Sequence, residues 1–292
     1  MKIENLVCEG GGVLGIAYAG AIQALEDKGL LDQIRQVAGT SAGAMTAMLL
    51  SLRYSAAEIK ELSNATNFKE FEDRWNPLRI PCKYGIYKGD KLFNWIRNAL
   101  IKKNKNADAT FRDFETMGCR SLRVFACDLN IKNVKEFSLR KTPDAVVAEA
   151  VRASMSIPLF FSAWKFRNNN PDNHIYVDGG TVYNYPITTF DEGEFNERTV
   201  GLHLNDVENV VSNTGLKYGE VFKYIRILFD TLLASQNIDY LEDKDNISRS
   251  IRINNHGISA TQFSLREEEK TLLYNSGRQA ANDFIKAGKG NK

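Results

Sequence analysis

The residues with chemistry to offer fall in three short stretches. Gly39-Thr40-Ser41-Ala42-Gly43 reads G-x-S-x-G. Small residues two before and two after a serine let the backbone double back at a strand-to-helix turn, which holds the hydroxyl out toward a substrate. Gly10-Gly11-Gly12-Val13-Leu14-Gly15 is a glycine run that can bring main-chain N–H groups close to an anion. Asp178-Gly179-Gly180 ends an apolar run, His174-Ile175-Tyr176-Val177, and places a carboxylate beside residues that leave room for close approach. A hydroxyl, a carboxylate and a nest of amides are the parts of nucleophilic acyl transfer: attack, proton removal and stabilisation of the oxyanion. Each stretch alone fits an ordinary turn, and only their company makes Asp178 a candidate general base.

These parts need elements to hold them. Residues 3 to 8 read as a strand running into the glycine loop, and helical spacing of Leu14, Tyr18, Ala21, Ile22 and Leu25 follows, with Gly29 as a left-handed cap. A second strand, about Ile34 to Ala38, leads to Ser41. The helix from Ala42 to about Leu52 is apolar on nearly every side and is expected to be central, its N-terminus aimed at the serine. If the first two strands are neighbours, both helix N-termini and the glycine loop converge, and an oxyanion hole results. Ser55-Ala56-Ala57-Glu58 is a capping box. Residues 66 to 88 are aromatic and proline-broken, which fits a lid or lipid-touching flap as well as a loop pinned by its own aromatics. A helix from Asp90 ends at Ile101-Lys102-Lys103-Asn104-Lys105, lysines that suit a helix C-terminus or a membrane patch. Ser121 to Leu129 reads as a buried strand, Asp144 to Ala153 as a helix, and Ser154 to Phe161 as an apolar, proline-bent segment. Further on come a helix over 216–235, a strand over 248–253, a last helix from Glu267 and a polar tail, Lys286 to Lys292, all read as packing at the edge of one domain.

Composition narrows the classes. With 292 residues, 43% of them hydrophobic, the chain can bury a sizeable core, and one large α/β domain is favoured. A net charge of +2 gives no case for a nucleic-acid partner. The start of the chain lacks a signal peptide's apolar core, and a cytoplasmic location is expected. Cys8, Cys82, Cys119 and Cys127 are scattered without a C-x-x-C pair and read as buried reduced thiols, so neither a zinc site nor a disulfide framework is expected. The glycine run matches G-x-G-x-x-G, but a dinucleotide site needs an acid at the end of the next strand. Here that strand ends in Gly39-Thr40-Ser41. No G-K-[ST] is present either, and no cofactor is expected.

Taken in order and spacing, Gly10 to Gly15, Gly39 to Gly43 and Asp178-Gly179-Gly180 resemble the three motifs of the patatin-like phospholipase family. The strand Ser121 to Asp128, Ala153 to Pro158 and Asn184-x-Pro186 match as well. The resemblance covers about residues 3 to 205 clearly and continues more weakly through Thr261-Gln262-Phe263 and the last helix. It implies a three-layer αβα sandwich with a mostly parallel central sheet, one domain over 1–292. It further implies a lipid acyl hydrolase of phospholipase A or lysophospholipase type. In that reading Ser41 is the nucleophile, Asp178 the general base, and the N–H groups of Gly10, Gly11 and Gly12 the oxyanion hole, with Ala42 a further donor. The implied partner is a lipid or phospholipid, with peripheral membrane contact. Many family members carry Arg or Lys where this chain has Leu14, so backbone donors alone would hold the oxyanion. A non-hydrolytic lipid-binding protein and an acyltransferase on the same scaffold remain alternatives.

The histidines are consistent with a dyad rather than a triad. His174 stands four residues before Asp178, about 13 Å away on a continuous strand. His203 reads as a sheet residue and His256 as part of a surface loop.

Overall fold

The sheet is built from runs in which alternate residues serve opposite faces. Along three adjacent strands Leu6, Val37 and Val124 join the large core on one side, while Val7, Ala38 and Phe125 join a smaller cluster with Ile187 and Phe190 on the other. The computed structural model describes residues 1–104, 106–205 and 215–289, so Lys105 and the last three residues of the expected tail lie outside the described residues.

Nine strands are described: β1 (Asn5–Cys8), β2 (Gln36–Thr40), β3 (Gly85–Tyr87), β4 (Ser121–Asp128), β5 (Asn133–Ser138), β6 (Leu159–Phe161), β7 (Tyr176–Asp178), β8 (Thr199–Asn205) and β9 (Ser250–Asn254). Seven form the central sheet in the order β5-β4-β2-β1-β8-β9, with β7 also on β4. The pairs β4-β2, β2-β1, β1-β8 and β8-β9 are parallel. β5 and β7 run antiparallel to β4. β3 and β6 make a separate parallel pair.

The helices are α1 (Ile16–Asp27), α2 (Ala42–Ser51), α3 (Ala56–Ala65), α4 (Ile80–Lys83), α5 (Asp90–Asn104), α6 (Phe111–Thr116), α7 (Val147–Ser154), α8 (Val221–Glu242), α9 (Lys244–Ser248) and α10 (Glu267–Lys289). Every residue of α2 except Met45 is buried, as its all-round apolar sequence requires. α2 packs across β1, β2 and β4, and α10 packs on α1 and β9. Gly29 ends α1 at φ +66°, and the Ser55–Glu58 capping box opens α3.

Several expectations need correcting. α7 starts at Val147, because Val146 is held extended in a bridge with Thr110. The apolar run before Asp178 forms β7, which is only three residues long and antiparallel to β4. β5, with Lys135 and Glu136 among its residues, went unread because an edge strand tolerates charges. Of the four thiols, Cys8 and Cys127 are buried, but Cys119 is half-buried and Cys82 is exposed on the outward turn of α4. In the aromatic stretch Phe71 and Tyr87 are buried while Trp75, Leu78 and Tyr84 face solvent. Phe160 and Phe161 pack in the core.

A tight packing constraint lies where α2 leaves the serine turn. A Cβ on Gly43 would stand 2.2 Å from the Cys8 carbonyl oxygen and 2.5 Å from that of Glu9, so only glycine lets α2 reach β1. Gly43→Ala is expected to destabilise the fold by about 1–3 kcal/mol, read as a lower urea midpoint at unchanged m-value.

Candidate active site

β2 pairs with β4 as far as Thr40 opposite Phe125, and there the chain turns away. The next residues of β4 on that same edge, Ala126 to Asp128, are taken by β7, with Asp178 opposite Ala126. The end of β2 and the end of β7 therefore meet head to head on one strand. Ser41 Oγ donates to Asp178 Oδ2 at 2.6 Å, across 137 residues of sequence. Both residues are buried, Ser41 at 4% exposure and Asp178 at 0%.

The turn is held in place from below. Ser41 has φ +53° and ψ −124°, a strained conformation for a residue with a Cβ, of order 1–3 kcal/mol. Its N–H donates to Ser154 Oγ at 2.8 Å, and that hydroxyl donates in turn to the Phe125 carbonyl at 2.5 Å. Ser154 ends α7, so the strained turn is tied to both α7 and β4. In the sequence Ser154 stood out only as part of the segment Ala153 to Pro158 that carries the family resemblance.

Burial pushes the Asp178 carboxyl up from its ordinary 3.8 to about 7, against the pull of its bonds from Ser41 and from the Gly180 N–H and the field of Arg152. The Gly180 amide donates to Oδ1 at 2.7 Å. Arg152 is wholly buried, and its guanidinium donates to Ser156 Oγ and to the carbonyls of Lys88, Gly89 and Ser162. A serine hydroxyl bonded to a carboxylate that titrates near neutrality is the pairing from which a nucleophile is made.

Among the amides, Gly10 departs from expectation: its N–H donates to the Asn184 carbonyl at 3.0 Å. Of the four expected donors that leaves Gly11, Gly12 and Ala42. Gly12 sits at φ +53°, where a Cβ would also stand 2.0 Å from the Ala260 carbonyl oxygen. Ala42 opens α2, whose first-turn N–H groups have no partner within the helix. Leu14 is buried and brings no charge.

Glu9 was not singled out by its place between β1 and the glycine run. It is buried, accepts from Asn184 Nδ2 at 3.0 Å and from the Leu204 N–H at 2.6 Å, and burial pushes its carboxyl up to about 8. His174 is turned away from Asp178, its Nδ1 lying 2.7 Å from Asp128 Oδ2. His203 lies in β8 with its ring stacked on Tyr240, and His256 is exposed.

The largest departure is α8, read from sequence as edge packing. It lies over the Asp178 loop: Gln236 Nε2 donates to the Gly180 carbonyl at 2.5 Å, and Gln236 Oε1 accepts from the Asn184 N–H at 2.8 Å. The outer residues of its first half, Val221, Phe222, Tyr224 and Leu228, face solvent, and Phe222 meets Trp75 with ring centroids 6.1 Å apart.

Comparison with known proteins agrees with this architecture. The sequence model of the family described as patatin-like phospholipase matches residues 6–191. The uncharacterized protein YqhO of Bacillus subtilis is 31% identical over 299 residues, covering 96% of this chain and 97% of its own length. The probable lipid hydrolase 463L of Invertebrate iridescent virus 6 is 29% identical over 189 residues, 63% of this chain and 62% of that protein. Among solved structures, VipD from Legionella pneumophila has a TM-score of 0.72 at 16% identity, covering 98% of this chain and 67% of VipD, a likeness of fold.

Below its pKa the Asp178 carboxyl holds a proton and cannot accept one from Ser41. Labelling of Ser41 by a serine-directed phosphonate should therefore rise with pH about a midpoint near 7, not near the value of about 4 for an ordinary aspartate. Stopped-time labelling followed by mass spectrometry measures it.

Proposed function

The chain belongs to the patatin-like phospholipase family, a family of lipid hydrolases, and on that premise we propose that it cleaves the carboxylic ester bonds of phospholipids through an acyl-enzyme on Ser41. The observation that carries this reading is the 2.6 Å bond from Ser41 Oγ to a buried carboxylate beside the glycine loop. Asp178 Oδ2 takes the hydroxyl proton as Oγ attacks the ester carbonyl carbon. The N–H groups of Gly11, Gly12 and Ala42 hold the oxyanion. Collapse breaks the bond to the alcohol, which leaves with the proton from Asp178 as a lysolipid. Water then attacks the acyl-serine and gives a proton to Asp178. The second collapse frees the fatty acid and returns that proton to Ser41 Oγ. No His is needed, because burial has moved the carboxyl's affinity for a proton into the working range.

Access supports a lipid rather than a small soluble ester as substrate. The dyad is closed beneath α8, so the stretch from Leu233 to Gln236 must shift before an acyl chain enters. The helix's outer face, with Trp75, Leu78 and Tyr218, presents exposed apolar side chains interleaved with Arg74, Lys217 and Lys223, which suits contact with a bilayer surface. No helix among the described residues is long and apolar enough to cross a membrane, so that contact is peripheral.

Fatty acid release from phospholipid vesicles tests the reading. Ser41→Ala and Asp178→Asn should each lower the rate by at least about a thousandfold while circular dichroism stays that of wild type; wild-type protein that binds vesicles and releases no fatty acid would leave only a lipid-binding role. Trp75→Ser with Phe222→Ser should lower vesicle hydrolysis several-fold more than hydrolysis of a dissolved nitrophenyl ester, and equal losses on both would remove the bilayer contact.

A further inference from the structure

One half-open cavity beside the site is lined by neither Ser41 nor Asp178. It lies between the glycine loop and α8, has a volume of about 230 Å³ and is bordered by Gly10, Gly11 and Leu14 on the loop side and by Asp230 and Leu233 of α8, with Asn184 also on its wall. Two of the residues that border it, Asn184 and Asp230, each carry a buried oxygen with no hydrogen-bond partner among the described residues, Asn184 Oδ1 and Asp230 Oδ1.

The direction of the Asn184 amide follows from its nitrogen. Nδ2 has two acceptors, Glu9 Oε1 at 3.0 Å and the Gly10 carbonyl at 3.2 Å, so the oxygen faces the other way. It stands where a Cβ on Gly10 would come within 2.3 Å and one on Gly180 within 2.9 Å, and the residue is only 3% exposed. Asp230 accepts from Ser259 and Thr261 at Oδ2 and leaves Oδ1 without a donor. No Lys or Arg borders the cavity, since Leu14 supplies hydrocarbon alone. Arg226, one turn before Asp230, bonds to Glu72 at 2.7 Å. A buried acceptor without a donor is costly, and more so when it carries charge. Two such acceptors on one cavity call for a donor from outside the chain.

We propose that this cavity seats the polar end of the lipid substrate and selects a primary ammonium headgroup of the ethanolamine class, whose N–H donors bond to Asn184 Oδ1 and Asp230 Oδ1. The proposal rests on the hydrolase reading and adds the substrate's identity to it. A trimethylammonium headgroup carries the charge but no donor, and a lipid with net negative charge meets Asp230 as a like charge. The placing is consistent with attack on the ester. A Cβ on Gly10 would lie 3.2 Å from Ser41 Cβ, so a headgroup held here keeps the glycerol esters near the hydroxyl. With Asp230 on α8 and Asn184 beneath it, the occupant also bridges the helix to the sheet.

The test compares vesicles of phosphatidylethanolamine, phosphatidylcholine and phosphatidylglycerol with the same acyl chains. Wild-type kcat/KM should favour the ethanolamine lipid over each of the others by about tenfold or more, the worth of a charge-assisted hydrogen bond. Asp230→Asn, which keeps an oxygen for Ser259, should erase most of that preference. Calorimetric titration with glycerophosphoethanolamine and glycerophosphocholine reads the cavity without turnover: wild type should bind the first more tightly, and Asp230→Asn should not discriminate. Equal rates on all three lipids, a preference that survives Asp230→Asn, or equal binding of the two soluble headgroups would overturn the proposal. Discriminating binding in a protein that cleaves no ester would instead support the cavity and remove the hydrolase reading, so the two failures are told apart.

Discussion

One edge of one strand governs the site. β4 lends Ser121 to Phe125 to β2 and Ala126 to Asp128 to β7, and the two borrowers approach from opposite directions. Because they stop at adjacent residues, Ser41 and Asp178 arrive within a hydrogen bond of each other without any loop having to find its place. Ser154 fastens the same spot a third time by linking the Ser41 N–H to the Phe125 carbonyl. Strain at Ser41 persists because three elements fix it rather than one, the circumstance in which an unfavourable backbone conformation survives in a folded protein.

Burying charge beside that edge is what gives it chemistry. Asp178 lies wholly inside, and its two oxygens are met by Ser41 and by the Gly180 amide, while Arg152 adds a favourable field from farther off. Dehydration outweighs these stabilising contacts, and the carboxyl ends near neutrality instead of deep in the acid range. Glu9 follows the same logic on the far side of the glycine loop. Its oxygens fasten Asn184 and the end of β8, and burial again keeps the proton affinity high. The glycine loop is thus braced by a buried acid.

Much of this was legible because backbone constraints write themselves as glycine. The serine turn, the glycine run, the α2 helix and Asp178 were all placed from small residues at fixed offsets and from apolar periodicity. What was missed depended on contacts between distant segments. Nothing in Tyr176-Val177-Asp178 states that the strand runs against β4, since three residues carry no directional pattern. The Gly10 amide looked as available as its neighbours until Asn184, far along the chain, was seen to accept from it. α8 read as packing because its apolar residues recur at helical spacing, and that spacing does not say what each face covers. A helix that covers a polar site with one side and meets solvent with apolar residues on the other does not show the usual contrast of faces.

Over the Asp178 loop α8 is fastened by one side-chain amide, while farther along the helix Asp230 bonds to Ser259 and Thr261 and Arg226 bonds to Glu72. Gln236 gives one bond to Gly180 and takes one from Asn184. Two neutral hydrogen bonds contribute a net of about 1–3 kcal/mol between them, a modest hold for the stretch that covers Ser41 and Asp178. Because the other bonds of α8 lie elsewhere along the helix, uncovering Ser41 asks for a local movement of one stretch and not for release of the whole helix.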